Sequence, residues 1–109
     1  MVNESVVKTV QKYLHMLIDS GIRVEQGVVF GSQVRDYHNT WSDIDLLIVS
    51  PRFDGQRSRE DINLLWRIAA RVDSRIEPIG VGKRQYEEDD SNAIIEIARR
   101  EGEVIVPSR

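Results

Sequence analysis

Two carboxylates, Asp43 and Asp45, stand directly before the apolar run formed by residues 46–49. The run predicts a buried strand, and because strand side chains alternate between faces with a period of two, both carboxylates should point the same way. Like charges side by side at the mouth of an apolar strand repel each other and lose hydration, so they require a compensating cation. Mg²⁺ is the obvious candidate, since it commonly takes one or two carboxylates together with the phosphate oxygens of a substrate.

A glycine and a serine, Gly31 and Ser32, follow a second apolar run at residues 28–30. This run predicts another buried strand, which breaks into a turn at its C-terminal end. Glycine lets the backbone pass close to a ligand, and the Ser32 hydroxyl together with the N–H groups of a following helical turn suits phosphate oxygens. The two motifs together indicate a site for a metal ion and a phosphorylated ligand.

Gly31-Ser32, then a polar loop, then Ser42-Asp43-x-Asp45 and its apolar strand closely resemble the signature of the polymerase-β-like nucleotidyltransferase superfamily. The motifs match over residues 28–49. The rest of the chain resembles the superfamily more loosely, in the order of its predicted helices and strands. The short chain resembles the minimal nucleotidyltransferase branch, whose members are often antitoxins encoded beside a helical HEPN-type partner. Members commonly carry a glycine at the position of Asp36, where a carboxylate could repel a triphosphate or simply point to solvent.

The resemblance implies a reaction and gives roles to three carboxylates. The reaction is transfer of a nucleoside monophosphate, most simply AMP from ATP, to a hydroxyl acceptor with release of pyrophosphate. Asp43 and Asp45 would hold two Mg²⁺ ions, and Glu77 would complete the ion that lowers the pKa of the acceptor hydroxyl. Glu77 is the acidic residue within the apolar stretch of residues 74–81, and the alternative is an ordinary salt bridge with a neighbouring arginine.

Four residues are candidates for binding the nucleotide: Gly31, Ser32, Arg35 and Ser42. By the resemblance, Gly31 and Ser32 orient the β and γ phosphates, so that catalysis is mostly positioning and charge neutralisation. Arg35 could contact a phosphate, and the alternative is an exposed loop arginine. Trp41 could stack on a base, but we expect it to pack over the edge of the core.

The helical patterns predict which faces pack against a sheet. Apolar residues at helical spacing predict a first helix between Asn3 and Ser20, with Asn3 or Ser5 as its N-cap. Ser58 has the character of an N-cap for a second helix. The apolar stripe of the second helix includes Ile62 and Trp66, so both are expected in the core. The last helix is expected to bury Ala93, Ile94, Ile97 and Ala98.

The C-terminal half completes the sheet. Residues 74–81 predict a third strand, and Pro78 within it favours an edge or a bulge. We interpret the acidic run of residues 87–90 as a cap region before the last helix, which ends at Gly102. Residues 104–106 then form a short strand or a packed tail. As the resemblance implies, the fold is α/β (α+β): a small mixed β-sheet of three to four strands with helices packed on one side.

The composition indicates a single acidic domain spanning residues 1–109, with formal net charge −3 and pI near 5.4. An acidic chain lacks the overall excess of positive charge that binds a polynucleotide, so we do not expect this chain to bind one by itself. The absence of cysteine excludes disulfides, thiol catalysis and cysteine-bound zinc, and is typical of a cytoplasmic protein. No apolar leader or long apolar run is present, so we expect neither export nor membrane insertion.

Two functions from different classes follow from these observations. The first is a Mg²⁺-dependent nucleotidyltransferase that modifies a hydroxyl of a partner macromolecule, most simply a tyrosine of a small HEPN-type protein in a toxin–antitoxin pair. The second is a catalytically weak or inactive module that neutralises such a partner by binding it; a nucleotide sensor is a third option, and a homo-oligomer is not excluded. The partner would dock around Tyr37, His38 and Trp41, because aromatic residues are common interface anchors.

Overall fold

The computed structural model describes residues 2–35, 41–55 and 57–107. Its helices are α1 (Glu4–Asp19), α2 (Arg59–Val72), α3 (Lys83–Glu88) and α4 (Ala93–Glu101). Its strands are β1 (Gln26–Phe30), β2 (Ile44–Ser50), β3 (Ile76–Gly82) and β4 (Glu103–Ile105). Short 3-10 helices follow β1 and β2, at Gly31–Val34 and Pro51–Phe53. In these described ranges, no helix combines the length and the apolar character needed to cross a membrane.

The strands form one four-stranded sheet in the order β3-β2-β1-β4. β1 is antiparallel to β2 and β4, whereas β2 and β3 are parallel. Parallel neighbours need a crossover connection, and α2 provides it. The predicted mixed sheet is therefore confirmed, and the C-terminal stretch is a strand that pairs with β1.

β3 lies at an edge of the sheet, as Pro78 predicts. Proline removes one backbone donor from this strand, and the Arg57 guanidinium donates a hydrogen bond to the Gly80 carbonyl. Both features leave fewer backbone groups available to another chain, which is how natural edge strands avoid unwanted pairing.

Helices cover both faces of the sheet. α1 and α2 pack on the face that carries Val29, Leu46 and Ile48. On the opposite face, Ile95 and Ala98 of α4 belong to a second apolar cluster. The expected packing on one side therefore holds for α1 and α2 but not for α4. The reason is topological, because the chain must cross the sheet from β3 at one edge to β4 at the other, and α1 and α2 already fill the first face.

The buried face of α2 is rotated relative to the predicted face. Ile62 and Trp66, which we expected in the core, are 43% and 48% exposed. Asp61 is buried instead, and its carboxylate accepts hydrogen bonds from Nε and Nη2 of Arg52 at 2.9–3.1 Å. A carboxylate that is paired in this way can occupy an inner position beside Leu65, and hydrophobic periodicity alone does not detect it.

A short helix, α3, occupies the charged stretch after β3, where the sequence did not predict one. The Asp54 carboxylate holds its first turn by accepting hydrogen bonds from the backbone N–H groups of Arg84 and Gln85 at 3.2 and 3.3 Å. The acidic run at residues 87–90 therefore belongs partly to α3 and is not the N-cap of the next helix. Asp54 lies far away in sequence, so only the folded chain brings this cap into place.

The N-cap of α4 is Asn92, whose side chain accepts hydrogen bonds from the next turn at 2.9 and 3.1 Å. The helix buries Ile95 and Ala98, whereas Ile94 is 42% exposed. Of the predicted buried residues Ala93, Ile94, Ile97 and Ala98, only Ala98 is fully buried. The buried face of α4 is therefore rotated relative to the prediction and is centred on Ile95 and Ala98.

Three predicted helix ends are confirmed. Asn3 caps α1 by accepting a hydrogen bond from the Ser5 N–H at 2.7 Å, and Ser58 caps α2 by accepting one from the Asp61 N–H at 3.0 Å. Gly102 follows the last residue of α4. Capping depends on residues within one turn of the helix, which is why the sequence predicts it well.

Replacing Leu65 with alanine should destabilise the protein by about 2–5 kcal/mol, because the side chain is 2% exposed and its removal leaves a cavity. Ile62→Ala in the same helix should cost about 1 kcal/mol or less, because Ile62 is 43% exposed. Urea unfolding of both variants measures the two losses. Equal losses would contradict the observed rotation of α2.

Candidate active site

The register of the sheet places Asp45 directly beside Glu77. Asp45 pairs with Phe30 of β1 on one side and with Glu77 of β3 on the other. Asp43 precedes the first residue of β2, and its charge acts on both other carboxyl groups. The structure therefore gathers the three carboxylates named in the sequence at the start of two parallel strands.

These carboxylates lie on the face of the sheet that α1 and α2 do not cover. Ile44 and Leu46, on either side of Asp45, belong to the apolar cluster under α1 and α2. Because side chains alternate along a strand, Asp45 points to the opposite face. Asp45 and Glu77 are both half-buried, so a ligand can reach them from that face.

Crowding of the carboxyl groups changes their ionisation. Burial raises the pKa of Asp45, and the charge of Asp43 raises it further, while a hydrogen bond with Glu77 and the charge of Arg35 act in the opposite direction. Burial also raises the pKa of Glu77, followed by the charges of Asp43 and Asp45 and hydrogen bonds to both. The ionised forms are therefore under-compensated in the protein alone, which is the condition that a bound cation relieves.

Gly31 brings backbone into contact with the Asp45 carboxylate. Its φ of +74° lies in the left-handed region, and a Cβ atom at this position would stand 2.3 Å from Asp45 Oδ2. A side chain is excluded on both counts. The turn that the sequence assigns to phosphate binding therefore adjoins the carboxylate that it assigns to metal binding.

The two predicted serines lie on either side of this contact. The Ser32 hydroxyl donates a long hydrogen bond of 3.5 Å to the Asp43 carbonyl. Ser42 is half-buried, and its carbonyl accepts a hydrogen bond of 3.0 Å from Nε2 of Gln33. Gln33 is 1% exposed and was not singled out in the sequence. The sequence offered one signal for a buried Gln33, namely that its neighbours in the motif, Ser32 and Val34, are small or apolar.

Arg35 is exposed, and its charge lowers the pKa of Asp45. Its backbone N–H donates to the Ser32 carbonyl at 3.1 Å, which closes the 3-10 turn. The guanidinium therefore lies within electrostatic range of the carboxylates. Contact of Arg35 with a phosphate stays a prediction.

Of the loop residues singled out in the sequence between Arg35 and Ser42, the structure describes only Trp41. Trp41 is 85% exposed, so the expected packing over the core edge is wrong. Residues of β1 and β2 are fully buried without it, among them Val28, Val29 and Leu46. Asp36, Tyr37 and His38 lie outside the described residues, and the expectations for them stay predictions.

The carboxylates fit a hard cation by their chemistry. Among the described residues, no group of three or more acidic or histidine side chains forms a ready-made metal cluster. Mg²⁺ does not require one, since it usually binds through one or two carboxylates and completes its shell with water and substrate phosphates. The all-oxygen set of Asp43, Asp45 and Glu77, with raised pKa values at two members, suits that mode of binding.

Comparison with known proteins agrees with this geometry. Residues 15–101 match the family model described as the nucleotidyltransferase domain. The fold is similar to the crystal structure of a presumed nucleotidyltransferase from Sulfolobus solfataricus, with a TM-score of 0.64 and 18% sequence identity over 90% of this chain and 77% of that one. No curated protein gives a significant match to the sequence.

Asp45→Asn should stabilise the metal-free protein at neutral pH. The folded-state pKa of Asp45 is raised, so its contribution to stability is present below the unfolded-state pKa and is lost as pH rises through the folded-state pKa. The variant should therefore melt at or above the wild-type temperature at pH 7 in EDTA, and this advantage should shrink in acid. It should also lose any rise in melting temperature that MgCl₂ gives the wild type.

Asp73→Asn provides a control of opposite sign. Hydrogen bonding to Arg75 lowers the pKa of Asp73, so its contribution is present above the unfolded-state pKa and is lost as pH falls. Asp73→Asn should therefore lower the melting temperature at pH 7 and leave the response to MgCl₂ unchanged. Strong destabilisation by Asp45→Asn at pH 7 without metal would show that Asp45 is structural.

Proposed function

Because the chain belongs to the nucleotidyltransferase family, we propose that it transfers a nucleoside monophosphate, most simply AMP from ATP, to a hydroxyl of a partner macromolecule. The acceptor oxygen bonds to the α-phosphorus, the bond from that phosphorus to the bridging oxygen breaks, and pyrophosphate leaves with the electron pair. The hydroxyl proton passes to solvent. The observation that carries this proposal is the grouping of Asp43, Asp45 and Glu77 beside the Gly31 turn.

The three carboxylates would hold Mg²⁺, two ions in the full complex. When bound, Mg²⁺ neutralises charge on the phosphates and lowers the pKa of the acceptor hydroxyl. Asp43 and Asp45 would hold both ions, and Glu77 on the neighbouring strand would complete the ion that serves the acceptor hydroxyl. The raised pKa of Glu77 supports cation binding here, since burial and the charges of both aspartates disfavour its ionised form and a cation would offset them.

The nucleotide would lie along the turn after β1. Gly31 would let the backbone approach a phosphate closely, and the Ser32 hydroxyl and the exposed Arg35 guanidinium would contact phosphate oxygens. Ser42 would offer its hydroxyl, since its carbonyl accepts the hydrogen bond from Gln33. Contact between Gly31 and the Asp45 carboxylate supports placing the α-phosphate next to the metal ligands.

The acceptor would come from another macromolecule. The described helices and strands build the two apolar clusters of the sheet, and the carboxylate face is shared with α4, which packs chiefly against β1. Trp41, 85% exposed beside the site, is the kind of residue that anchors a protein interface. We therefore propose a small helical HEPN-type protein as the partner, with a tyrosine hydroxyl as acceptor, and the cytoplasm as the compartment.

A second function belongs to a different class: a catalytically weak or inactive module that neutralises the partner by binding it. Two observations favour it, namely the exposed indole of Trp41 and the lack of a ready-made metal cluster among the described residues. Under this alternative, binding of the partner would survive loss of the carboxylates, whereas modification would not occur.

The domain, ATP and MgCl₂ should together add the mass of one AMP to the product of the neighbouring gene. Mass spectrometry of that product, with and without the domain, measures the transfer. The Asp45→Asn variant should abolish the added mass, because it removes a metal ligand. Efficient transfer to a free small molecule without any partner would contradict the proposed acceptor, and binding without modification would favour the alternative.

Glu77→Gln should lower kcat by about 10–100-fold while changing ATP affinity much less. The physical reason is that Glu77 acts on the acceptor side, so its effect appears mainly in the transition state. Initial rates at saturating and limiting ATP separate the two quantities. Glu60→Gln, an exposed carboxylate in the first turn of α2, is the control and should leave both unchanged. Normal turnover in Glu77→Gln would make Glu77 a scaffold residue.

A further inference from the structure

The three carboxylates are not held in place in the same way. Asp45 and Glu77 are paired in the register of β2 and β3, so the ladder of the sheet fixes their relative position. Asp43 lies before Ile44, where the pairing with β3 begins, and is exposed. Its position therefore depends on contacts outside the ladder.

Hydrogen bonds between described residues hold the peptide groups around Asp43 on both sides. On one side the Ile44 N–H donates to the Arg75 carbonyl at 2.8 Å. On the other side the Asp43 carbonyl accepts the long 3.5 Å bond from Ser32, and the Ser42 carbonyl accepts the 3.0 Å bond from Gln33. The bond from Ser32 is exposed, so water can replace it.

The bond from Gln33 has a different character. The Gln33 side chain is 1% exposed whereas Ser42 is half-buried, so loss of this bond would leave the buried Gln33 amide without this partner. The bond joins residues nine apart in sequence, so it closes the base of the polar loop that separates the two motifs. Through it, the segment leading into Asp43 is attached to the 3-10 turn.

The same turn is attached to Asp45. Gly31 begins the 3-10 helix Gly31–Val34 and lies against the Asp45 carboxylate, while Gln33 lies two residues further on. One short 3-10 turn thus contacts Asp45 through Gly31 and the segment before Asp43 through Gln33. The turn that would carry the phosphates therefore also sets the separation of the two aspartates.

We propose that Gln33 is a positioning residue whose amide, by holding the Ser42 carbonyl, keeps Asp43 beside Asp45 in the arrangement that binds Mg²⁺. This inference rests on the proposed function. Gln33 does not touch the metal or the nucleotide; it acts through the backbone of Ser42. Loss of groups that orient metal ligands typically lowers metal affinity or activity by about 10–100-fold.

The test compares Gln33→Met with Gln11→Met. Methionine matches glutamine in length but cannot donate to a carbonyl. Gln11 provides the matched control, because its Nε2 also donates to a backbone carbonyl, that of Val106 at 3.4 Å, at the other end of the chain. Each protein is melted over a range of MgCl₂ concentrations with an ATP analogue whose α–β bridge carries a methylene group, and AMP transfer is measured separately with ATP.

In Gln33→Met, the MgCl₂ concentration that gives half of the rise in melting temperature should increase by about 10–100-fold, and excess MgCl₂ should restore transfer. Gln11→Met should leave both unchanged. A lower melting temperature in Gln33→Met with an unchanged MgCl₂ midpoint would show a purely structural role and overturn the proposal. A rate loss that excess MgCl₂ does not restore would overturn it as well.

Gln33→Asn is the second variant, because it keeps the amide but is too short to reach the Ser42 carbonyl. It should shift the MgCl₂ midpoint in the same direction. If neither variant folds, Gln33 is a folding residue and the proposal fails. If the wild type itself shows no response to MgCl₂ with the analogue and no transfer, the proposed function fails; if the wild type responds and both Gln33 variants match it, only the inference about Gln33 fails.

Discussion

The parallel pairing of β2 and β3 sets Asp45 beside Glu77, and the rest of the fold must support this unfavourable contact. With Asp43 close by, three carboxyl groups share the start of two strands, and burial and mutual repulsion raise the pKa of two of them. Such a cluster lowers stability in the absence of a cation. The opposite face of the sheet compensates, because α1 and α2 cover it with the larger apolar cluster of the domain.

The turn after β1 lies against the carboxylates on the face of the sheet that α1 and α2 leave uncovered. Gly31 adopts a positive φ and contacts the Asp45 carboxylate, so the backbone enters space that a side chain would fill. A metal ion at the carboxylates and phosphates at the turn would then be neighbours. Their proximity is what an in-line transfer of a nucleotide needs, since most of the catalytic effect comes from positioning and charge neutralisation.

Polar side chains account for several differences between the predicted and the observed structure. Asp61 is buried because Arg52 pairs with it, which turns Ile62 and Trp66 outward. Asp54 organises α3 from a distant position in the sequence. Gln33 ties the loop to the turn at the site. In each case a polar side chain pairs with a backbone group or an ion, and hydrophobic periodicity does not detect such a contact.

Local chemistry made much of this protein predictable from its sequence. The Gly31-Ser32 and Asp43-x-Asp45 motifs, the strands that carry them and the caps at Asn3 and Ser58 depend on neighbouring residues, whose spacing and turn chemistry act over a few positions. Local patterns do not determine the register in which strands distant in sequence pair with each other. The resemblance already grouped Glu77 with the two aspartates, but only the tertiary structure fixed the register that pairs Glu77 with Asp45. It also placed α4 on the second face and Gln33 against Ser42, because these contacts join segments that meet only when the sheet has formed.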